Sequence, residues 1–233
     1  MKPVAIFRHL PHEGAGYLGE FLAARGIPTR LIAIDAGEPV PVDADAFSGL
    51  VFMGGNMSVN DDLPWIAHSL ALIRDAVAKD IPVLGHCLGG QLMSKALGGV
   101  VTRNPVKEIG WGDVHVAANS VAAAWFGATK SFPAFHWHGE TFSLPEGATL
   151  LLSSTHCVNQ AFALGKHLAL QCHVEMTDEM IRSWYVEGEA EVRAALTGIA
   201  VQGGQSACLE MAVNLPELRK IAVKLYEHWI LAL

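Results

Sequence analysis

The segment 85–89, Gly-His-Cys-Leu-Gly, carries the clearest chemical signal in the sequence. It lies between an apolar, strand-like run at 81–85 and a helix-like segment at 88–97. A nucleophile on such a tight strand-to-helix turn has a strained backbone, and small neighbours permit the close approach. The N-terminus of the following helix favours a thiolate. We therefore predict that Cys87 is a nucleophile; the other interpretation is a buried structural cysteine beside packing glycines.

A cysteine nucleophile needs a base, and the base usually needs an orienting acceptor. Among the eleven histidines, His173 closes an apolar, strand-like run at 168–172, and Glu175 follows two positions later. In an extended chain, residues two apart point to the same side, so the carboxylate can reach one imidazole nitrogen while the other faces a thiol. We predict this base and this orienting carboxylate. The pattern is short, and its other interpretation is a solvated strand end.

A pair of glycines, Gly54-Gly55, ends another apolar run at 50–53. Glycines at such a strand end can turn a backbone N–H toward developing negative charge, as an oxyanion hole requires. We predict that the N–H groups of Gly55 and Leu88 are the two donors. An ordinary glycine turn is the alternative.

Metal binding is the other chemistry that the histidines suggest. His136 and His138 are two positions apart, so a strand would place both imidazoles on one face. No third ligand stands at a diagnostic spacing, and a hydrogen-bonded strand pair explains the pattern equally well. We predict no metal site. Because no G-x-G-x-x-G or P-loop motif occurs in the sequence, we also expect no bound cofactor.

These residues need elements that bring them together, and the first half of the chain alternates apolar strands with amphipathic helices. The predicted strands are 3–7, 29–34, 50–53 and 81–85, and the predicted helices are 16–24, 64–79 (with Asp62 as N-cap) and 88–97. Such alternation predicts an α/β fold with a parallel sheet and helices on both faces. Ligands then bind at the carboxyl ends of the strands, where Gly54 and Cys87 stand.

The second half of the chain no longer alternates strands and helices. Strand-like runs at 100–101, 113–117, 133–137, 150–153 and 167–171 are separated by turns such as 145–147, which predicts added antiparallel strands. Residues 176–233 are predicted to form a helical C-terminal extension with a break at Gly203-Gly204, and its apolar face is expected to pack on its own domain. We predict a single domain over 1–233.

Taken together, the Gly-Gly, G-x-C-x-G and H-x-E motifs resemble those of the class I glutamine amidotransferase family. The resemblance runs from about Val4 to Thr177, and it is closest to stand-alone members similar to the amidotransferase domain of GMP synthase. It implies a flavodoxin-like, mostly parallel sheet with added antiparallel strands. It also implies that Cys87 attacks the glutamine side-chain amide, that His173 acts as base and then as acid, and that Glu175 orients His173.

The same resemblance implies three substrate-binding residues. Gln91 matches the glutamine that follows the nucleophile by four positions, and His138-Gly139 matches a pair that lines the family's pocket. The sequence departs from the family pattern at three places: Val174 and Asn56 each stand where proline is common, and Cys172 stands where an aromatic residue is common. Losing the proline at 174 removes a rigid φ but keeps both functional groups, so we expect activity to survive. His86 is assigned no role beyond packing or a polar rim.

The leading functional hypothesis is hydrolysis of glutamine to glutamate and ammonia through a γ-glutamyl thioester, with the ammonia passing to a synthase partner. No second catalytic domain is visible, so the acceptor chemistry would belong to another polypeptide. A γ-glutamyl peptidase would use the same triad on γ-glutamyl amides. A non-catalytic flavodoxin-like binding or regulatory module is a third interpretation, because a fold does not imply a function.

The composition excludes several classes of protein. The 233 residues carry a formal net charge of −7, which argues against a nucleic-acid partner. No uncharged apolar stretch reaches membrane-spanning length, and the N-terminal segment lacks the pattern of a signal peptide. Four cysteines in no short-spaced pair fit a reducing compartment. We therefore expect a cytoplasmic protein that acts on a small molecule.

Overall fold

The computed structural model describes residues 1–233 as one nine-stranded sheet flanked by helices. The strands are β1 Val4–Arg8, β2 Thr29–Ala33, β3 Gly49–Phe52, β4 Val83–His86, β5 Val101–Val116, β6 Ser131–Phe142, β7 Thr149–Ser154, β8 Ala161–Leu164 and β9 His167–Leu170. The helices are α1 Gly16–Ala24, α2 Pro64–Ala78, α3 Leu88–Ala96, α4 Ser120–Phe126, α5 Asp178–Glu187, α6 Glu189–Ala195 and α7 Gly204–Ile230, with a 3-10 turn at Ile34–Ala36.

The strand order is β2-β1-β3-β4-β9-β8-β7-β5-β6. The first five strands in this order pair in parallel, and the remaining pairs are antiparallel. With β9 taking the fifth place, the parallel part has the order of a flavodoxin-like sheet. The predicted α/β architecture with added antiparallel strands is confirmed.

Side chains on the two faces of the sheet form two apolar cores. In β1, Val4 and Ile6 belong to one core, and Ala5 and Phe7 belong to the other, as the two-residue period of a strand requires. Helices α1, α4, α5 and α7 pack in the first core, and α2 and α3 pack in the second. Helices therefore cover both faces, so the carboxyl ends of the parallel strands remain as the place for a site.

One local prediction is wrong, and another is incomplete. Asp62 does not cap α2: Leu63 occupies the N-cap position without a side-chain hydrogen bond, and Pro64 follows as the first helical residue. Proline supplies the helical φ and has no N–H that needs an acceptor, so the helix starts without a polar cap. The runs predicted as strands at 100–101 and 113–117 belong to the single strand β5, which is irregular between Arg103 and Glu108.

Two elements escaped prediction, namely α4 and β8. Helix α4 is only seven residues long and is capped by Asn119, whose side chain accepts from the Ala122 N–H. Strand β8 is four residues long and pairs with β7 and β9. Such short segments show too few turns or alternations for a period to be recognised.

The C-terminal segment ends in α7, which has Pro216 within it. The predicted apolar face of this helix is buried, since Leu218, Ile221 and Leu225 all lie in the first core. No helix in the chain combines the length and the apolarity that crossing a membrane requires.

Candidate active site

The turn between β4 and α3 places Cys87 in a strained conformation. Its φ of +50° and ψ of −107° are unusual for a residue with a side chain. The neighbouring glycines make the turn possible: a Cβ on Gly85 would lie 2.4 Å from the backbone of Gly89, and a Cβ on Gly89 would lie 2.0 Å from the carbonyl oxygen of Phe52. Close packing therefore requires both glycines: Gly85 packs against the start of α3, and Gly89 packs against β3.

His173 and Glu175 lie in the segment between β9 and α5, and both side chains are almost fully buried. Backbone hydrogen bonds to Phe135 of β6 hold His173 in an isolated bridge. Its Nδ1 lies 2.7 Å from Oε1 of Glu175, and because a carboxylate only accepts, Nδ1 is the donor. The two-residue spacing thus brings the imidazole and the carboxylate into contact.

Electrostatics favour the charged forms of this pair. Burial alone lowers the pKa of His173, but the charge of Glu175, the adjacent sulfur of Cys87 and the hydrogen bond with Glu175 outweigh it and hold that pKa well above its usual value. Burial raises the pKa of Glu175, yet the imidazoles of His86 and His173 and the hydrogen bond from His173 outweigh it, so the net shift is downward. An imidazolium beside a thiol stabilises the thiolate.

The thiol of Cys87 has further polar neighbours. The side-chain amide of Gln171 donates to Sγ at 3.5 Å, and Sγ lies 3.8 Å from the carbonyl oxygen of Trp137. Gln91 in turn donates to the Oε1 of Gln171 at 3.1 Å. The Nε2 of His173 has no hydrogen-bond partner of good geometry, so it is free to meet a proton donor or acceptor in the site.

The predicted oxyanion donors come from two elements in contact. A Cβ on Gly55 would lie 2.7 Å from Cδ2 of Leu88, so the glycine loop packs against the start of α3. Leu88 is the first residue of α3, and the N–H groups of a helix's first turn have no acceptor within the helix. The N–H of Gly55 donates to no protein acceptor. Both donors are available to a ligand.

His86 turns away from the cleft that Cys87 faces. It is fully buried, its Nε2 lies 3.7 Å from Oε2 of Glu175, and the hydroxyl of Tyr226 lies 3.3 Å from the same nitrogen. The sequence indicated only packing or a polar rim for His86. The structure places its imidazole between Glu175 of the candidate triad and Tyr226 of α7. Only the position next to Cys87 pointed to His86 in the sequence, and Tyr226 carried no signal.

His138 belongs to a buried polar network on β5 and β6. Its Nδ1 donates to the carbonyl oxygen of Glu140 at 2.9 Å, and its Nε2 lies 3.1 Å from Oε2 of Glu108. Ser154 and Gln160 also donate to the Glu108 carboxylate, at 2.9 and 2.8 Å. Burial raises the pKa of Glu108, but the hydrogen bond with His138 and the adjacent imidazoles outweigh it and lower that pKa.

The same network contains a third side chain of a type that can bind metals, Glu108, which the sequence did not reveal. One donor atom each from Glu108, His136 and His138 lies within 4.8 Å of the others. Gln160 Nε2 stands between them, at 3.4 Å from His136 and 3.3 Å from His138. Because protein hydrogen bonds already engage these atoms, we describe the cluster as a polar network and assign it no metal.

A cavity of about 1300 Å³ brings most of the predicted site residues together. Those lining it are Gly55, Cys87, Gln91, His138, Gly139 and His173. The side chains of Glu175 and Leu88 do not line the cavity. Glu175 contacts the lining residue His173, and Leu88 follows the lining residue Cys87 in the chain. Gly55, Cys87 and His173 thus converge from the carboxyl ends of β3, β4 and β9, and His138 and Gly139 reach the same cavity from β6.

The cavity also contains charged residues that sequence reasoning missed. Glu13 reaches it from the segment after β1, and a Cβ on Gly54 would lie 2.3 Å from Oε2 of Glu13 and 3.3 Å from Cε1 of His173. Burial raises the pKa of Glu13 to about 7, although His173 opposes the shift. Arg103 and Lys107 line the same cavity. None of these residues lies in a motif, so the sequence offered no signal for them.

Comparisons with known proteins identify the family of this chain. The family model for glutamine amidotransferase class-I matches residues 18–188. A solved glutamine amidotransferase from Methylobacillus flagellatus is 42% identical, with a TM-score of 0.97 over 100% of this chain and 96% of that one. The glutamine amidotransferase-like protein YfeJ of Salmonella typhimurium is 31% identical over 196 residues, which cover 80% of this chain and 81% of YfeJ.

Two further relatives differ in their named activities. A protein of Methanoregula boonei that forms part of a glutamine-hydrolyzing GMP synthase is 30% identical over 186 residues, covering 76% of this chain and 90% of that protein. Gamma-glutamyl peptidase 3 of Arabidopsis thaliana is 29% identical over 155 residues, covering 64% of this chain and 62% of the peptidase. Since the family model spans most of the chain, and the fold matches throughout, this protein belongs to the class I glutamine amidotransferase family of enzymes.

Proposed function

We propose that this protein hydrolyses the side-chain amide of glutamine to glutamate and ammonia. The sulfur of Cys87 attacks the amide carbon, and the resulting oxyanion accepts hydrogen bonds from the N–H groups of Gly55 and Leu88. The C–N bond then breaks as His173 gives its proton to the departing ammonia, which leaves a γ-glutamyl thioester on Cys87.

Hydrolysis of the thioester completes the cycle. A water molecule attacks the thioester carbon while His173 takes one of its protons, and the C–S bond breaks to release glutamate and the thiolate. Glu175 keeps Nδ1 of His173 protonated through the 2.7 Å hydrogen bond, so Nε2 performs both proton transfers.

One observation carries this proposal. The strained Cys87 and the buried pair of His173 and Glu175 meet at one cavity, although the cysteine and the pair lie on chain segments that are far apart in sequence. The raised pKa of His173 supports an imidazolium beside the sulfur of Cys87, ready to give its proton to the departing ammonia. A purely structural cysteine needs neither a strained φ nor a buried, charge-stabilised histidine.

Gln91, His138 and Gly139 are proposed to seat the substrate's glutamyl portion. All three line the cavity next to Cys87. The side chain of His138 is fixed by acceptors at both ring nitrogens, and Gln91 is fixed by its hydrogen bond to Gln171. Fixed polar groups of this kind orient a ligand with little loss of entropy on binding.

A γ-glutamyl peptidase is the second candidate function, and the cavity volume favours it. Pockets for drug-sized ligands measure about 300–1,000 Å³, so a cavity of about 1300 Å³ has space beyond the γ-glutamyl group. Comparing kcat/KM for glutamine with that for γ-glutamyl dipeptides and glutathione distinguishes the two functions. A preference for the peptides would assign the peptidase activity.

We expect a synthase partner only if the protein hydrolyses glutamine to supply ammonia, and not if it is a γ-glutamyl peptidase. If ammonia is the useful product, we expect a synthase partner to supply the electrophile that captures it. We expect ammonia release without a partner to be measurable, and a partner to increase it.

The test is glutaminase activity of the purified protein beside Cys87→Ala, with Cys208→Ala as a control for loss of a half-buried thiol. We expect turnover in the parent and the control, and none in Cys87→Ala. Intact-mass measurement after mixing with γ-glutamyl donors should detect the thioester on Cys87. A glutamine-analogue electrophile should label Cys87 promptly; absence of both labelling and turnover would favour the non-catalytic interpretation.

A further inference from the structure

We propose that His9 is a positioning residue for the oxyanion hole, because it fixes the peptide unit that carries the Gly55 N–H. This inference rests on the proposed function, since it assumes that Gly55 stabilises an oxyanion. His9 follows β1 directly, and the Gly54-Gly55 turn follows the neighbouring parallel strand β3, so the two segments meet at the same sheet edge.

The His9 ring holds two carbonyl groups of the turn. Its Nδ1 lies 3.1 Å from the carbonyl oxygen of Met53 and 3.2 Å from that of Gly54. Carbonyl oxygens only accept, so Nδ1 must carry the proton. His9 is 2% exposed, and burial lowers its pKa to about 4, against the effect of these two hydrogen bonds. Above that pH, His9 is therefore a neutral imidazole with a fixed tautomer.

This hydrogen bond determines where the Gly55 N–H points. The chain has no cis peptide bond, and in a trans peptide the C=O of one residue and the N–H of the next point in opposite directions. When His9 binds the Gly54 carbonyl, the Gly55 N–H must point away from His9. That N–H has no protein acceptor, and Gly55 lines the cavity with Cys87.

Packing holds the His9 ring itself in place. The ring lies 4.9 Å from the indole of Trp65 on α2, centroid to centroid. A Cβ on Gly55 would approach Cβ of His9 to 3.3 Å, so the turn lies directly against His9. The Met53 N–H also donates to the Phe7 carbonyl at 3.0 Å, which ties the start of the turn to β1.

Asn56 explains why this turn needs an external restraint. A proline after two glycines fixes its own φ and restricts the preceding residue, whereas asparagine does neither. Two glycines followed by asparagine leave the Gly54–Gly55 peptide free to rotate, since glycine adopts many backbone conformations. The hydrogen bonds from His9 supply a restraint that the turn's own sequence lacks.

Two substitutions separate this role from mere packing. His9→Phe keeps an aromatic ring against Trp65 but has no donor, whereas His9→Asn places an amide N–H near the position of Nδ1. We expect His9→Phe to lower kcat by about 10- to 100-fold, with KM changed by less than about 3-fold. His9→Asn should recover most of kcat, and His68→Phe, on the exposed side of α2, should match the parent protein.

Amide hydrogen exchange over residues 53–57 tests the positioning without using activity. Exchange in this segment should be faster in His9→Phe than in the parent and in His9→Asn. Unchanged exchange and unchanged kcat in His9→Phe would overturn the inference, as would an equal loss of kcat in both variants. If the exchange result holds but the parent hydrolyses no γ-glutamyl amide, the positioning by His9 stands and the proposed function fails.

Discussion

The hydroxyl of Tyr226 lies 3.3 Å from Nε2 of His86, the residue before Cys87. Both side chains are fully buried, and the same nitrogen lies 3.7 Å from Oε2 of Glu175. Helix α7, which contributes Tyr226, thereby contacts the back of the candidate triad. The C-terminal helix is thus part of the surroundings of the site as well as of the apolar core.

Removing the Tyr226 hydroxyl should weaken catalysis without preventing folding. Oε2 of Glu175 is buried without a hydrogen-bond partner, so its carboxylate depends on the polar contact of His86 to keep its orientation. We expect Tyr226→Phe to lower kcat by about 3- to 10-fold with little change in KM. Tyr17→Phe is the control, since the hydroxyl of Tyr17 makes no hydrogen bond; an equal effect in both variants would contradict this role.

The sequence allowed some parts of the site to be predicted because their geometry is local. Cys87 stands out through its glycines, whose small size the strained turn requires, and His173 and Glu175 meet because they are two positions apart in an extended segment. His9 and Glu13 follow β1 in a segment without periodicity. Only the parallel pairing of β1 with β3 brings them to Gly54, and no local pattern encodes that pairing.

Local patterns predicted parts of the fold as well, whereas features that depend on long-range strand pairing were missed. Apolar runs such as 50–53 predicted the parallel strands because both of their faces are buried. Strand β5 was predicted as two fragments, since its middle carries Lys107, Glu108 and two glycines and lacks an apolar run. The pairing of this middle part with β6 is long-range and leaves no local pattern. Glu108 pairs with His138 only after this antiparallel register forms, which explains why the polar network was not foreseen.

Glu13 should make stability depend on pH. Its pKa in the folded protein is about 7, against an ordinary value of 4.5, so the folded state binds the proton more tightly. Its contribution to stability is present below about pH 4.5 and is lost as pH rises to about 7. Glu13→Gln, which stays neutral, should therefore be more stable than the parent at pH 8, by on the order of 2 kcal/mol.

Urea unfolding of both proteins at pH 5 and pH 8 measures this effect. The difference in the free energy of unfolding should be largest at pH 8 and should shrink toward pH 5. Glu20→Gln, at an exposed position of α1, serves as the surface control and should stay within about 0.5 kcal/mol of the parent. If the difference in the free energy of unfolding between Glu13→Gln and the parent does not change with pH, then burial does not raise the pKa of Glu13.

Val174→Pro should preserve activity. Proline is common at this position in the family, and we expect the exchange between valine and proline to leave both functional groups, His173 and Glu175, in place. The N–H of Val174 donates to no acceptor, so proline removes no hydrogen bond there. His173 before it is in an extended bridge, which is the conformation favoured before proline. We expect kcat/KM within about 3-fold of the parent. Ala117→Pro is the contrasting control, because it removes a hydrogen bond to Leu151 and should lower the melting temperature.

Gly89→Ala tests whether close packing, rather than backbone flexibility, requires a glycine two positions after Cys87. An added Cβ would lie 2.0 Å from the carbonyl oxygen of Phe52, and neither backbone can yield without distorting α3 or β3. We expect a loss of stability on the order of 3 kcal/mol and loss of glutaminase activity. Gly203→Ala is the matched control, since its Cβ would meet only Leu196 Cδ1, at 3.7 Å. Thermal unfolding of the two variants decides the matter: equal melting temperatures would mean that α3 can move away from β3, and the strained turn at Cys87 would then not depend on this contact.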